Sequence, residues 1–429
     1  MRNLALLALL GAGCAGPPRE PLPPEAAYRG AAAPAPEAPR PGPARDLGLE
    51  QALDHAERRH PDLAAARARI EAAEGRAVQA GLLPNPELVA RIEVAPLEGR
   101  TAREAEYVLG LSQRLPAGGR LGEAVRVEEL ERARLLKEFE VRRLEVAGRV
   151  RAAFAAALYA EEAARVLDEG YRIAGQGVAV VRARLAAGDA LPEDVARSEL
   201  EELRARLELD RARSLRKVAL VDLAAALGDP ALEIDSLAGA LEQALEVPAL
   251  ESLLAGLDRT PAVEAAAAGV AAERAREALA RAQRVPDVNV DLFYRRQEAS
   301  GTDAFDAGIA VALPLLDRNQ GRIREARAEA AAAEARLRAT RIDLERQARE
   351  ARVRLERALS RARLLRDEIL PRAETVLRTA ETRYAGGDLP LSDVLAARRE
   401  RGAARLSHLE ALREAMEAWA ALKPLLGGR

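Results

Sequence analysis

Four runs of the chain repeat with a period of two, one set of positions in each being apolar. Leu88, Ala90, Ile92 and Val94 alternate with Val89, Arg91 and Glu93, and Tyr107, Leu109 and Leu111 alternate with Val108, Gly110 and Ser112. Val288, Val290, Leu292 and Tyr294 alternate with Asn289, Asp291, Phe293 and Arg295, and Ala307, Ile309, Val311 and Leu313 alternate with Gly308, Ala310 and Ala312. Such alternation sends one set of side chains to each face of a β-strand. Each run is about ten residues, the length of a tilted strand crossing a bilayer. The runs form two hairpins, with Pro96 to Arg103 and Gln297 to Asp303 as the expected loops. Four strands cannot close a barrel, and open sheet edges are not tolerated in lipid. If the strands are membrane-embedded, several copies of the chain must share one barrel.

Elsewhere the pattern is helical. Helices of about twenty residues are expected from Pro61 to Leu83 and from Pro261 to Arg284. No proline occurs in the 67 positions from Gly119 to Leu185, and Val146, Val150, Phe154 and Leu158 recur near helical spacing. At 1.5 Å per residue that stretch is roughly 100 Å long, more than any compact domain needs. A second proline-free stretch runs from Leu315 to Leu370, with Pro371 predicting a kink or break.

The chain is a duplication. Arg184-Leu-Ala-Ala-Gly188-Asp189 matches Arg383-Tyr-Ala-Gly-Gly387-Asp388, and Asp194-Val195 matches Asp393-Val394, all at a separation of 199 positions. Pro61 matches Pro261, and Gly119-Arg120-Leu121 matches Gly321-Arg322-Ile323. Each unit has the same order of short helix, two strands, very long helix, Gly-Asp break and further helix. The first unit is expected over 46–230 with its hairpin at 87–115, the second over 231–429 with its hairpin at 287–314. Asp189 and Asp388 precede new helices, an ordinary N-cap placement. Asp194 has Arg197 three residues on, within reach of an ion pair.

Composition narrows the function. With 49% hydrophobic, 31% charged and only 3% aromatic residues, the chain suits long helices and coiled coils. The balance of 66 basic and 68 acidic residues leaves no basic field to recruit nucleic acid. One Cys and three separated histidines (His55, His60 and His408) leave almost no material for a metal cage or a Cys/His catalytic pair. No nucleophile elbow or Gly-rich phosphate loop is present. The expectation is a non-enzyme without cofactor or bound metal.

The N-terminus has Arg2, a short apolar run from Leu4 to Leu10, and Gly11-Ala12-Gly13 before Cys14. The run is too short to span a bilayer as a mature helix. The arrangement resembles a bacterial lipoprotein signal, although Gly11 stands where such signals usually have Leu. That resemblance implies a signal peptide over 1–13, acylation of Cys14, and outer-membrane sorting, because Ala15 rather than Asp follows the cysteine. Residues 17–44 hold ten of the 24 prolines, so 14–45 is expected to be a semi-extended tether.

Beyond these patterns, the chain resembles the TolC-like outer membrane factor family of efflux channels over roughly residues 46–425. The matching pieces are Gln79-Ala-Gly-Leu-Leu-Pro84-Asn-Pro86, Leu111-Ser-Gln-Arg-Leu-Pro116, Leu313-Pro-Leu-Leu-Asp-Arg-Asn-Gln-Gly321 and Tyr384-Ala-Gly-Gly-Asp-Leu-Pro-Leu-Ser-Asp-Val-Leu-Ala396. Asp317-Arg-Asn-Gln-Gly321 looks closest to the heavy-metal-efflux branch. The resemblance implies a mainly α fold with a small β part: a homotrimer, each chain giving four strands to a twelve-stranded outer-membrane barrel above a periplasmic helical tunnel. It also implies a periplasmic adaptor and an inner-membrane RND-type pump as partners, the channel itself being passive. Asp393 matches the family's constriction aspartate, and Tyr384 matches a tip tyrosine of the closed state. A ring of Asp393 carboxylates would favour cations, with Asp194, Asp388 and Asp189 as further candidates at the constriction. Ala396 and Leu389 replace the second pore aspartate and the tip arginine of the family, so the closed-state lock cannot be complete. The alternative is a lipid-anchored periplasmic coiled-coil scaffold or adaptor without a pore, which predicts helix alone.

Overall fold

The computed structural model describes residues 46–93 and 105–426; the leader, Cys14, the tether and the expected loop 96–103 lie outside the described residues. The longest element, α3, is a single helix from Arg120 to Ala187, 68 residues and about 100 Å. It is preceded by α1 (Leu49–Arg59) and α2 (Pro61–Ala80) and followed by α4 (Pro192–Ala226). Two glycines in the left-handed region, Gly118 (φ 68°) and Gly119 (φ 72°), turn the chain out of the preceding strand and into α3. The second half repeats the order, with α5 (Leu250–Gly256), α6 (Pro261–Ala282), α7 (Gln320–Leu364), α8 (Leu370–Ala385) and α9 (Leu391–Leu422). Between α7 and α8 lies one π-helical turn, Leu365–Ile369, where the Leu370 N–H bonds the Leu365 carbonyl. Pro371 follows immediately. It has no N–H for the Asp367 carbonyl, and the wider turn takes up that lost bond.

Helices pack through alanine and leucine. One cluster gathers Val146, Val150, Phe154 and Leu158 of α3 with Ala52, Ala56, Leu63, Leu223 and Leu227. A second joins Leu344, Ala348, Leu355 and Leu359 of α7 to Leu253, Val263 and Leu422. Beside the first cluster a two-residue parallel ladder pairs β1 (Leu47–Gly48) with β4 (Leu237–Ala238), which ties the start of one repeat to the start of the other. Nothing in the alternation pattern announces it. The two short helices expected at 61–83 and 261–284 end a few residues early, at Ala80 and Ala282, because the chain must unwind before Pro84 and Pro286.

The strands β2 (Glu87–Ile92), β3 (Glu106–Leu115), β5 (Val288–Gln297) and β6 (Thr302–Val311) form one antiparallel sheet in the order β2-β3-β5-β6. The central β3·β5 ladder runs from Glu106↔Gln297 to Leu115↔Val288 and is the seam between the two repeats. The second hairpin is tighter than the sequence pattern suggests. Pairing continues to Gln297↔Thr302, which leaves only residues 298–301 as loop, with Gly301 (φ 62°) making the turn. Gly110 is set by packing rather than by a turn. A Cβ there would collide with the Leu292 carbonyl and with the Phe293 ring.

Candidate functional site

The register sorts the sheet into two faces. In-register rows Leu88–Leu111–Leu292–Ala307 and Ala90–Leu109–Tyr294–Phe305 lie on one face. That face is apolar and exposed; Phe305 is 78% accessible. Its polar members sit at the two ends. Toward the hairpin, Arg296 and the Tyr294 hydroxyl both donate to Asp303, at 3.0 and 2.7 Å, while Gln113 at the other end donates to the Pro84 carbonyl. Ten residues tilted at roughly 40° cover about 25 Å, the height of an outer-membrane apolar band. Polar ends on an apolar belt match its two water interfaces.

The opposite face carries the charge. Arg91, Val108, Arg295 and Ala304 form one row, and Val108 is only 3% exposed beneath its neighbours. The Arg295 guanidinium spans three strands, reaching Glu93 at 2.9 Å, Glu106 at 2.8 Å and Asp306 at 2.8 Å. Arg91 lies 5.1 Å over the Phe293 ring, and Ser112 donates to Asp291 at 2.6 Å. At the sheet–helix junction the buried Asp287 carboxylate holds Arg114 of β3 at 2.6 Å and Arg120 of α3 at 2.9 Å. This clamp fixes where the sheet gives way to the helices.

The far ends of α3/α4 and α8/α9 carry the residues singled out in the sequence. Gly188 (φ 82°) and Gly387 (φ 85°) occupy equivalent left-handed positions. After each, an aspartate amide closes the preceding helix: Asp189 N–H to the Arg184 carbonyl at 2.8 Å, and Asp388 N–H to the Arg383 carbonyl at 2.9 Å. Neither aspartate is therefore an N-cap. The caps fall on Leu191 and Pro390, both extended, because the turn needs further residues after its glycine before a helix can restart. Asp194 does the capping that Asp189 was expected to do: its carboxylate accepts from the Leu191 amide at 3.2 Å, and it makes no ion pair with Arg197. Asp393 stands exposed in the first turn of α9, accepting from the Ser392 hydroxyl at 3.2 Å.

Tyr384 is one point where the two coils meet. The Arg184 guanidinium lies 4.7 Å over its ring, a contact between α3 and α8 that the sequence did not reveal. Tyr384 and Leu389 pack on Leu377, Ala380, Val394 and Ala397, so Leu389 fills an apolar cluster instead of presenting charge. Two ion pairs run between the coils further up, Arg405 to Glu169 at 2.7 Å and Arg399 to Glu201 at 3.6 Å. The hydrogen bond from Arg405 holds the Glu169 carboxyl below the usual carboxylate range. Among the described residues no three His, Cys, Asp or Glu side chains could together hold a metal ion. No described helix is long and apolar enough to cross a membrane.

A sequence model described as "Outer membrane efflux protein" matches the chain twice, over residues 52–229 and 255–428. The chain belongs to the outer membrane efflux protein family. It is 29% identical over 381 residues to the cobalt-zinc-cadmium resistance protein CzcC of Cupriavidus metallidurans, covering 89% of this chain and 90% of that one. Among solved structures it shares its fold with VceC of Vibrio cholerae, at 21% identity and a TM-score of 0.72, over 89% of this chain and 96% of VceC. It likewise matches the MtrE outer membrane channel of Neisseria gonorrhoeae, at 20% identity and a TM-score of 0.74, over 89% of each chain. As a member of this family the chain is an outer-membrane efflux channel protein and not an enzyme. Its long helices are the tunnel element and its four strands the barrel element.

Proposed function

We propose that three copies of the chain close into one passive exit duct, which receives substrate from a periplasmic adaptor and an inner-membrane RND-type pump. The observation that carries this reading is that, among the described residues, both lateral edges of the protomer present an unpaired strand or exposed apolar helix side chains. In the sheet the outermost strands are β2 and β6. Along the helices, α4 on one edge exposes Leu200, Leu203, Leu207, Leu215, Val218 and Val221. On the other edge α7 exposes Ile342, Val353 and Leu364 at eleven-residue intervals, followed by Val376 of α8. Joining β2 of one copy to β6 of the next, and α4 to α7, is a heterologous contact that repeats around a ring. Three copies supply twelve strands, and closure removes every sheet edge from lipid.

The proposed cargo is a heavy-metal cation, on the likeness to CzcC. The described residues offer no metal cage, so the cation would pass as a hydrated solute selected by charge. In this scheme Asp393 forms the constriction ring, Tyr384 holds the neighbouring coil, and Asp194, Asp388 and Asp189 shape the turns around it. Cys14, acylated, and the tether over 14–45 would fasten each copy to the membrane.

Single-channel conductance of the detergent-purified protein, measured alongside its oligomeric mass, tests the reading. The expected result is a trimer with small, cation-selective conductance, and an Asp393→Ala channel that loses much of that selectivity. A monomer or dimer without conductance would instead indicate the anchored scaffold, and unchanged selectivity in the variant would remove Asp393 from its role.

A further inference from the structure

Among the described residues, some of the most exposed leucines are not on the lateral helix edges. Leu313, Leu315 and Leu316, immediately after β6, are 75%, 70% and 91% accessible. Nearby segments add Leu82, Leu83 and Val285, all exposed. These residues follow α2, α6 and β6, so they sit where the sheet meets the helices. Leu313 continues in sequence the alternation of Phe305, Ala307, Ile309 and Val311, two residues past the end of β6, and so adjoins the exposed apolar face of the sheet.

Directly beside the leucines are arginines without an acidic partner. Asn319 donates to the Ala280 carbonyl at 2.6 Å and lies 3.5 Å from the Gln283 side chain. This bond staples the segment after β6 to the end of α6, so Arg318 and Arg284 belong to one patch, with Arg322 one helical turn beyond Arg318. All three are exposed, and among the described residues none forms an ion pair. The contrast is with Arg281 and Arg327 slightly further along, which share Glu277 at 2.6 and 3.2 Å. The order along the molecule is thus apolar sheet face, leucine collar, then unpaired guanidinium groups.

We infer that this junction is a binding surface for anionic phospholipid of the periplasmic leaflet, with Leu313, Leu315 and Leu316 in the acyl region and Arg284, Arg318 and Arg322 on the phosphates. The inference rests on the sheet being embedded as proposed above. Two features select lipid over other occupants: the collar adjoins the apolar face of the sheet, and three arginines outnumber the one neighbouring carboxylate, Asp317, without an ion pair to it, the Arg318 side chain bonding only the Leu315 carbonyl at 3.5 Å. Apolar side chains at the acyl boundary with arginines at headgroup depth are the arrangement by which a protein surface docks on an anionic leaflet. In a ring of copies the patch would recur around the channel and fix the depth at which the barrel sits.

Native mass spectrometry of the full chain in detergent, with phosphatidylglycerol or phosphatidylcholine added, reads the preference directly. The wild type is expected to retain phosphatidylglycerol about tenfold more than phosphatidylcholine. The combined variant Arg284→Gln, Arg318→Gln and Arg322→Gln should fall to near parity at unchanged oligomeric mass. No preference in the wild type, or full preference in the variant, overturns the inference. A spin label at Leu316→Cys, in a Cys14→Ser background reconstituted in bilayers, provides the second reading. Greater accessibility to oxygen than to a water-soluble nickel complex is expected. A label shielded from both reagents would show that a second copy covers the collar, and a label open to nickel would show that water does; either overturns the proposal. A preference for phosphatidylglycerol in a species that is not trimeric would sink the trimer while leaving the lipid surface in place.

Discussion

Gly110 shows how little tolerance the inner sheet face has. The position is on a strand, where glycine costs stability, yet any Cβ would collide with backbone as well as with the Phe293 ring. Gly110→Leu is therefore expected to prevent correct β3·β5 pairing, and heat-modifiable mobility on gels should be lost while helical circular dichroism persists. Arg184 is the residue-scale counterpart at the other end of the molecule. Its guanidinium covers Tyr384 from the opposite coil, a contact worth about 0.5–1 kcal/mol at an exposed site. Arg184→Ala should raise open probability or conductance in bilayers by a few-fold, that energy being converted through RT. An unchanged channel would mean that the Arg405–Glu169 and Arg399–Glu201 pairs hold the coils by themselves.

At the scale of elements, the boundary between α1 and α2 is pH-sensitive. His60 is nearly inaccessible, and its neutral Nδ1 accepts the Asp62 amide at 3.1 Å, capping α2. Burial, with Arg149 and Arg142 nearby, holds the His60 pKa below its ordinary value despite Asp62. Because the unfolded chain then binds the proton more readily, this contribution is present above about pH 6.5 and is lost as the pH falls below it. Thermal melting should weaken between pH 7.5 and 5.5. His60→Asn, which keeps a capping acceptor worth about 1 kcal/mol, should flatten part of that slope. The remainder belongs to His408, whose pKa is also lowered by burial. Prolines and glycines set the other element boundaries as their stereochemistry requires. Pro371 was legible as a break, but the form it takes, one π turn inside an otherwise continuous rod, depends on the packing of α9 along both sides of it.

For the whole molecule, the exposed stripes on α4 and α7 are the most consequential surfaces. Each large aliphatic side chain buried between copies contributes about 1.5–3 kcal/mol. Ile342→Glu combined with Leu203→Glu should therefore reduce the oligomeric mass in detergent without changing helix content, as light scattering and circular dichroism would show together. Retention of the full oligomer would place the contact between copies elsewhere.

Local pattern alone was enough for the four long strands and the long helices, though not for the β1·β4 ladder or the π turn. The period of two named the strands and their apolar side, the proline-free stretches named the rods, and the 199-residue offset named the duplication, because each is a local steric or hydrophobic rule repeated many times. Tertiary structure decided the rest. It made Asp194 a cap and placed Asp189 and Asp388 at helix ends, since capping depends on where the turn finishes and not on which residue precedes a helix. It also brought Arg184 to Tyr384, Arg295 to three carboxylates and Asp287 to two arginines. Those contacts join residues up to about two hundred positions apart, and no local pattern encodes them; they exist because the two repeats pair along β3·β5 and lay their long helices side by side.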